Sequence, residues 1–312
     1  MVPTLIGAAA LVFFLMRLIP GDICQVRLGA EAGSFSQQAL ADCHAALGLD
    51  RPIWVQFFDF VWKFCHLDLG ISMWSGKPVT DEIAARFPIS LEVAIGATLI
   101  AVAIAIPLGT ISALKQNSWA DLFARSFAIS GIAAPSFWLG IIALLAVLNV
   151  TQIIGGRPWM PPIDYVPLWR DPIRNLSIVI LPAATVGYRY AAVVARMTRS
   201  AMLEVLREDY IRTARAKGLL HRVIINRHAL KNEMLPVVTV IGIEFAFLIG
   251  GLVVTEQVFN LNGIGRLFVQ SVQNQDYTMT QALVMLVVAA FVVTNTVVDL
   301  LYAWLDPRIR YA

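Results

Sequence analysis

The stretch Gly70-Ile71-Ser72-Met73-Trp74-Ser75-Gly76-Lys77-Pro78 comes nearest to a reactive motif in this chain. A phosphate-binding loop cradles phosphates with backbone N–H groups between two glycines, sets a Lys on them and places a Ser or Thr on magnesium. Here one residue too many separates the glycines, and Pro78 stands where the magnesium ligand belongs. Neither G-x-S-x-G nor H-E-x-x-H occurs, so hydrolase and membrane-protease chemistry has little footing. No C-x-x-C occurs, His44 and His66 lack ligand spacing to one another, and His221 and His228 read as surface residues of a basic segment. No metal site and no catalytic residue is expected.

Four ionisable residues, Glu92, Arg189, Glu244 and Asp299, fall within apolar stretches. Such charges cost roughly 2.5–3.5 kcal/mol at a helix centre unless paired or wetted, which makes them functional candidates. Glu92 and Arg189 lie near the ends of their stretches, where long side chains reach the interface. Glu244 lies deeper. Facing a pathway it would meet a cationic group, and an interhelical hydrogen bond is the alternative. Glu244 and Arg189 are the candidate lining of such a path.

The elements that hold these residues are membrane elements. Hydrophobic residues make up 58% of the 312, charged residues 14%, and the mean hydropathy is +0.70, which excludes a soluble enzyme and a disordered chain. Apolar stretches at 2–19, 91–114, 126–150, 176–197, 235–255 and 280–304 are long enough for a hydrocarbon core of about 30 Å. The expected fold class is an all-α membrane protein with six transmembrane helices. Pro107, Pro135, Pro182, Gly131, Gly250 and Gly251 are tolerable there because neighbouring helices re-satisfy freed backbone groups. Gly96 with Ala97, and Gly131 with Ala133 and Ala134, would let helices approach closely.

Charge sets the expected orientation. From Arg196 to Lys231 nine Lys or Arg stand against Glu204, Glu208 and Asp209, which assigns that segment to the cytoplasm. Alternation then puts 115–125, the tail Asp306-Pro307-Arg308-Ile309-Arg310 and both termini inside, and 20–90, 151–175 and 256–279 outside. Segment 20–90, with five basic and eight acidic residues, agrees. The first span has no basic flank before it while Arg17 lies near its outer end, so a short basic lead is expected ahead of the recorded start. Arg17-Leu18-Ile19-Pro20 offers no cleavage site, and the first helix reads as uncleaved. Outside, Trp54, Phe57, Phe58, Val61, Trp62 and Cys65 form the stripe of an amphipathic helix, expected to pack on the outer mouth or lie in the interface. Cys24, Cys43 and Cys65 also fall there, allowing one bridge and leaving one thiol free, with the pairing open.

The basic segment is the remaining candidate. Residues 202–217 have helix-compatible composition, with Leu203, Leu206, Tyr210 and Ala214 on one face. Gly218 ends the helix, a second helical stretch runs from Arg222 to Glu233, and Pro236 opens the next span. Two short helices with a glycine elbow make a knob that suits a groove on a soluble partner. A positive-inside loop with incidental helicity is the alternative.

This segment resembles the coupling loop of dipeptide and oligopeptide ABC importer permeases. The resemblance is carried by Arg196-Met197-Thr198-Arg199-Ser200, by Glu208-Asp209-Tyr210-Ile211-Arg212-Thr213-Ala214-Arg215-Ala216-Lys217-Gly218, by His228-Ala229-Leu230-Lys231-Asn232 and by Leu235-Pro236. It extends through Pro20-Gly21-Asp22, Leu47-Gly48-Leu49-Asp50, Asp68-Leu69-Gly70-Ile71-Ser72, Thr255-Glu256, Val258-Phe259, Gly263-Ile264-Gly265-Arg266 and the Asp306 to Arg310 tail, almost the whole chain. Two departures stand out. Arg212-Thr213-Ala214 replaces the Glu-Ala-Ala of the wider importer signature, with the closing Leu-Pro about five residues late, and Asn262 precedes Gly263 where relatives usually carry Pro.

The resemblance implies a type I ABC importer permease fold in a bacterial inner membrane, with the first helix at 1–19, an outer segment at 20–90, and a five-helix core at 91–304. That core contains a cytoplasmic coupling loop at 198–234, and a tail follows at 305–312. It implies two ABC ATPase subunits that bind ATP and magnesium, a second and usually distinct permease, an external solute-binding protein, no nucleic acid, and no cofactor in this chain. It assigns ATPase coupling to Glu208, Asp209, Tyr210, Arg212, Thr213, Ala214, Arg215, Ala216, Lys217 and Gly218. Peptides lead the cargo classes, ahead of glutathione, nickel chelates and oligosaccharides. An ion-coupled secondary transporter is the rival class, but no internal repeat supports it.

Overall fold

A computed structural model describes residues 2–18, 24–25, 36–162 and 164–305. Pro20-Gly21-Asp22 and the Asp306 to Arg310 tail lie outside the described residues. Among the described residues these helices follow one another: α1 (Val2–Leu18), α2 (Gln37–Leu47), α3 (Ile53–Cys65), α4 (Val79–Leu114), α5 (Trp119–Ala133), α6 (Ser136–Gly155), α7 (Pro172–Val205), α8 (Asp209–Ala216), α9 (His221–Val223), α10 (Leu230–Gly251), α11 (Val253–Val258), α12 (Ile264–Gln273) and α13 (Tyr277–Leu305). A π-helical segment, Ile224–Ala229, joins α9 to α10 without a break. Among the described residues the nearest thing to a strand is the isolated bridge Ile71 to Pro78.

Among the described residues, five helical rods are long and apolar enough to cross a membrane: α4, α6, α7, the continuous 221–251 rod and α13. The sixth apolar helix is α1, at the lower limit of about 17 residues for spanning hydrocarbon.

Three boundaries differ from those read in the sequence. The apolar stretch 126–150 is not one helix, because Ala134 is extended (φ −80°, ψ 128°) ahead of Pro135, whose ring disfavours helical geometry at the preceding residue. Conversely, Pro236 opens nothing and lies within the 221–251 rod. Finally, α4 and α7 run well past their apolar cores, to 36 and 34 residues, since their polar ends still bury one face.

The centre of the bundle is the crossing of α4 and α7. Ala94, Ala97, Ala101 and Ala105 on α4 meet Val179, Ala183, Tyr190, Ala191 and Val194 on α7. Small residues allow that approach: a Cβ on Gly187 would lie 2.9 Å from the Ala97 carbonyl oxygen, and one on Gly109 would lie 2.7 Å from that of Ala195. Gly96 meets Ala183 and Gly131 meets Ala192 in the same manner, as the sequence implied.

Polar ties set several loops against this bundle. Glu92 accepts from Tyr165 Oη (2.9 Å) and Asn175 Nδ2 (2.6 Å), so it is an interhelical anchor rather than a snorkelling charge. Glu256 on α11, almost fully buried, accepts from Ser90 Oγ (2.6 Å) and from the Arg266 N–H (2.8 Å) at the start of α12. Asp276 caps α13 through the Met279 N–H (3.0 Å) and takes the Ser72 hydroxyl (2.5 Å), pinning the 70–78 turn.

At the same end, Cys24 bridges Cys43 and Cys65 is free and exposed. The aromatic stripe of α3 divides in two. Phe57, Phe60, Val61 and Phe64 pack on α1 and α13, whereas Trp54, Phe58 and Trp62 face outward.

Candidate coupling site

The segment after α7 is built as a small, separately seated unit. α7 carries residues 202–205 in its last turn, so the short helix expected over 202–217 begins only at Asp209. The turn Leu206-Arg207-Glu208 redirects the chain, and Glu208 is extended at the helix start. Asp209 in the first turn and Arg215 in the last complement the helix dipole of α8.

One face of α8 belongs to this chain. Ile211 is fully buried and Ala214 nearly so, three residues apart, against Met202, Ala113, Ile224, Ile225 and Ala229. Ala214, grouped with the docking residues in the sequence, thus has its side chain turned inward. Tyr210 is half-occupied: its hydroxyl accepts from Asn232 Nδ2 (2.8 Å), tying α8 to α10. Asn232 also donates to the His228 carbonyl (3.0 Å).

The opposite face is open. Glu208, Asp209, Arg212, Thr213, Arg215, Ala216, Lys217 and Gly218 are exposed. Arg212 pairs with Asp209 at 3.1 Å, a solvated contact worth under about 1 kcal/mol. Gly218 adopts φ +75°, the left-handed geometry that ends the helix, with its N–H on the Arg215 carbonyl (3.0 Å) and the Leu219 N–H on that of Ala214 (3.3 Å). No atom lies within 4 Å of a Cβ placed on Gly218, so the glycine answers to backbone sign rather than internal crowding. Leu219 and Leu220, 42% and 74% exposed, add an apolar spot beside the charged face. Sequence reasoning passed over these leucines, although an apolar pair straight after a helix-ending glycine is legible.

Beneath the unit, Arg199 on α7 reaches the wholly buried Asp121 at the start of α5, which Ser112 Oγ (2.6 Å) and the Asn117 N–H (3.0 Å) also satisfy. The Arg199 guanidinium holds the Asp121 carboxyl well below the usual carboxylate range against the opposing effect of burial, with Ser112 and Asn117 assisting. Glu233, also buried, meets Thr110 Oγ1 at 3.4 Å. Neither Asp121 nor Glu233 stood out in the sequence, since each is a single carboxylate in an unremarkable setting.

The two candidate path residues are not brought together. Glu244 is half-buried on α10 and Arg189 is exposed on α7, with no ion pair between them among the described residues. One turn from Glu244, the Tyr190 hydroxyl of α7 donates to the Ile241 carbonyl and fastens α7 to α10.

A known family matches this architecture. The profile described as binding-protein-dependent transport system inner membrane component covers residues 105–311, and the N-terminal profile of such membrane components covers residues 1–94. The chain belongs to this family. Like other binding-protein-dependent inner membrane components it is a multi-pass membrane protein that works within a transport complex of several subunits. It is 40% identical to the dipeptide transport system permease protein DppB of Escherichia coli K12, over 99% of this chain and 96% of that one. It is also 40% identical to the glutathione transport system permease protein GsiC of Salmonella typhimurium, over 100% and 96%. The fold resembles a chain of the MetNI methionine ABC transporter in an inward-facing form (TM-score 0.56, 17% identity, 73% of this chain and 98% of that one). A crystal structure of an amino acid ABC transporter with histidines is a second likeness (TM-score 0.52, 14% identity, 71% and 93%). This component of the family therefore has the helical ABC importer permease fold.

Proposed function

We propose that this chain is a permease subunit of an ATP-driven importer of di- or oligopeptides, and that α8 with its flanking turns is where a cytoplasmic ATPase drives it. The observation that carries the reading is the two-sided build of α8: Ile211 and Ala214 lock it to α7 and the 224–229 π segment, while a charged face and Gly218 stand free. A force applied to that face is passed to the helices it sits on. In the reading, ATP binding closes a pair of ATPases, α8 moves with them, and the bundle changes from inward-open to outward-open. Arg212, Arg215 and Lys217 are rim charges, Glu208, Asp209 and Thr213 share that rim, and Ala216 and Gly218 give the close fit. Tyr210 and Ala214 position the helix.

Two ATPases hold the ATP and magnesium, a second permease completes the path, and an extracytoplasmic binding protein delivers cargo. The basic segment 196–231 is on the cytoplasmic side with both termini. Two relatives of equal identity, one named for dipeptides and one for glutathione, support short peptides, γ-glutamyl tripeptides included, as the cargo class. Glu244 is the candidate for a cationic end of such a peptide and Arg189 for its carboxylate.

The test is mild-detergent purification of the tagged protein from its native membrane with subunit stoichiometry, for the native chain and for Arg212→Glu with Lys217→Glu. Recovery of an ATPase and a second permease with the native chain, and loss of the ATPase alone from the variant, is expected. A variant that retains the ATPase overturns the docking assignment. Unaltered uptake by Glu244→Gln removes Glu244 from the path.

A further inference from the structure

A cavity of about 620 Å³ opens where α1, α3 and the N-terminal end of α13 meet, beside the turn at 68–73. Three cations converge on it from different parts of the chain: Arg17 from α1, Arg51 from the turn before α3, and Lys63 from α3. Arg17 is held in place. Its Nη1 donates to the Phe13 carbonyl (3.2 Å), its Nη2 to Gln56 Oε1 (2.5 Å), and its guanidinium lies 3.4 Å from the Phe13 ring centre. The two acids on the wall already have partners, Asp59 with Arg51 (3.0 Å) and Asp68 with the Gly70 N–H (3.2 Å). Lys63 has no side-chain partner among the described residues. Gln281, on the same wall, carries a buried Nε2 donor without an acceptor among the described residues. The cavity therefore offers converging donors to an oxyanion.

What surrounds it narrows the source of that anion. Trp54, Phe58 and Trp62, at i, i+4 and i+8 on the outward face of α3, are 64%, 68% and 68% exposed. On α1, Leu11, Phe14 and Leu15 are exposed as well. The rings of Phe14, Phe57 and Phe58 link the two faces, at 6.3 Å and 5.9 Å between centres. Tryptophans beside an apolar helix end mark the level of lipid head groups, and an amphipathic helix of this kind lies in the interface plane. The cationic cavity thus opens at head-group height between two surfaces fit for acyl chains.

We propose that the cavity between α1, α3 and α13 binds the phosphate-bearing head group of a membrane glycerophospholipid. Arg17 and Lys63 supply donors to the phosphodiester, and the acyl chains run along the outward faces of α1 and α3. Free phosphate shares the head-group chemistry but makes no use of the apolar faces, which separates the two sources.

The test is native mass spectrometry of the full-length chain in detergent, with added phosphatidylglycerol, with diacylglycerol lacking the phosphate, and with millimolar inorganic phosphate as competitor. The native chain should retain phosphatidylglycerol, ignore diacylglycerol, and keep its lipid in the presence of phosphate. Arg17→Gln with Lys63→Gln should lower retention on the order of tenfold or more, since each basic residue at a membrane surface contributes about 1 kcal/mol. Lys63→Gln alone guards against misfolding, because Lys63 is exposed and holds nothing in place, and it should lower retention severalfold. Equal retention by both variants, or failure of the native chain to retain phospholipid, overturns the proposal. Displacement of the lipid by inorganic phosphate overturns it in favour of a free-anion site.

Discussion

Arg199 on α7 donates to Asp121 at the head of α5 through Nε, 2.9 Å from Oδ1, and through Nη2, 3.3 Å from Oδ2. Ser112 from the end of α4 donates to the same carboxylate, so three helices converge on one buried charge, and Arg199 lies ten residues before α8 begins. A movement of α8 that tilts the end of α7 must carry the α4–α5 turn with it.

Breaking that pair from its cationic side should be severe. Arg199→Gln leaves Asp121 buried with only the 3.9 Å contact to the half-exposed Arg125 as counter-charge, at a cost of up to about 3–5 kcal/mol. Asp121→Asn should cost less, because Arg199 is only partly buried and its freed guanidinium can reach water. Thermal unfolding of the detergent-solubilised chain measures both, and the reverse order would show that the arginine, not the carboxylate, is the stranded charge.

Acidification should act through the same carboxylate. Its folded-state pKa is lowered by Arg199, so its contribution to stability is present above the ordinary aspartate value of about 3.9 and is lost as pH falls through the lowered one. The stability gap between the native chain and Asp121→Asn is expected to be constant at neutral pH and to close below about pH 4. A gap that widens on acidification would contradict this sign.

Loosening α8 from beneath should be possible without touching its outer face. Ile211→Ala removes a fully buried side chain at about 2–5 kcal/mol, and Tyr210→Phe removes the Asn232 bond at about 0.5–1.5 kcal/mol. Limited proteolysis within 206–220 should accelerate strongly in the first variant and slightly in the second, with the membrane-embedded fragments intact.

At Gly218 the left-handed backbone should dominate. Gly218→Ala is expected to cost about 1–2 kcal/mol with no steric clash inside the chain, and Gly218→Asn less, since Asn tolerates this geometry. Gly218→Trp should leave membrane insertion unchanged and abolish uptake while ATP hydrolysis continues. Normal uptake by the tryptophan variant would remove Gly218 from the contact.

A single methyl group should matter more at Gly263. A Cβ there would collide with the Glu256 carboxylate and lie 2.5 Å from Ser90 Oγ. Gly263→Ala is expected to detach the start of α12 from α4, read as faster hydrogen exchange at Ile264 and Arg266, whose N–H groups those side chains accept.

The apolar rods, the amphipathic α3 and the glycine that ends α8 were legible because each is written in a local pattern of hydropathy or residue type. Pro135 and Pro236 show the limit: both are prolines in apolar stretches, yet one separates two helices and the other lies within a rod. The difference is one of backbone geometry, extended at Ala134 and helical before Pro236, which no window of sequence contains. The 202–218 segment and a face carrying Tyr210 and Ala214 were legible, but the deepest residue of that face, Ile211, was not, because its partners Ile224 and Ile225 lie across the turn. Asp121 and Arg199 are 78 positions apart, and only the crossing of α4, α5 and α7 brings them together.

The cysteines carry a practical consequence. Since Cys24 and Cys43 are joined, an unmutated chain exposes a single thiol, Cys65, at the end of α3. A membrane-impermeant maleimide applied to intact cells therefore reports sidedness with no engineered label: modification before lysis sets the α3 end outside and the 196–231 segment, by the charge asymmetry, within.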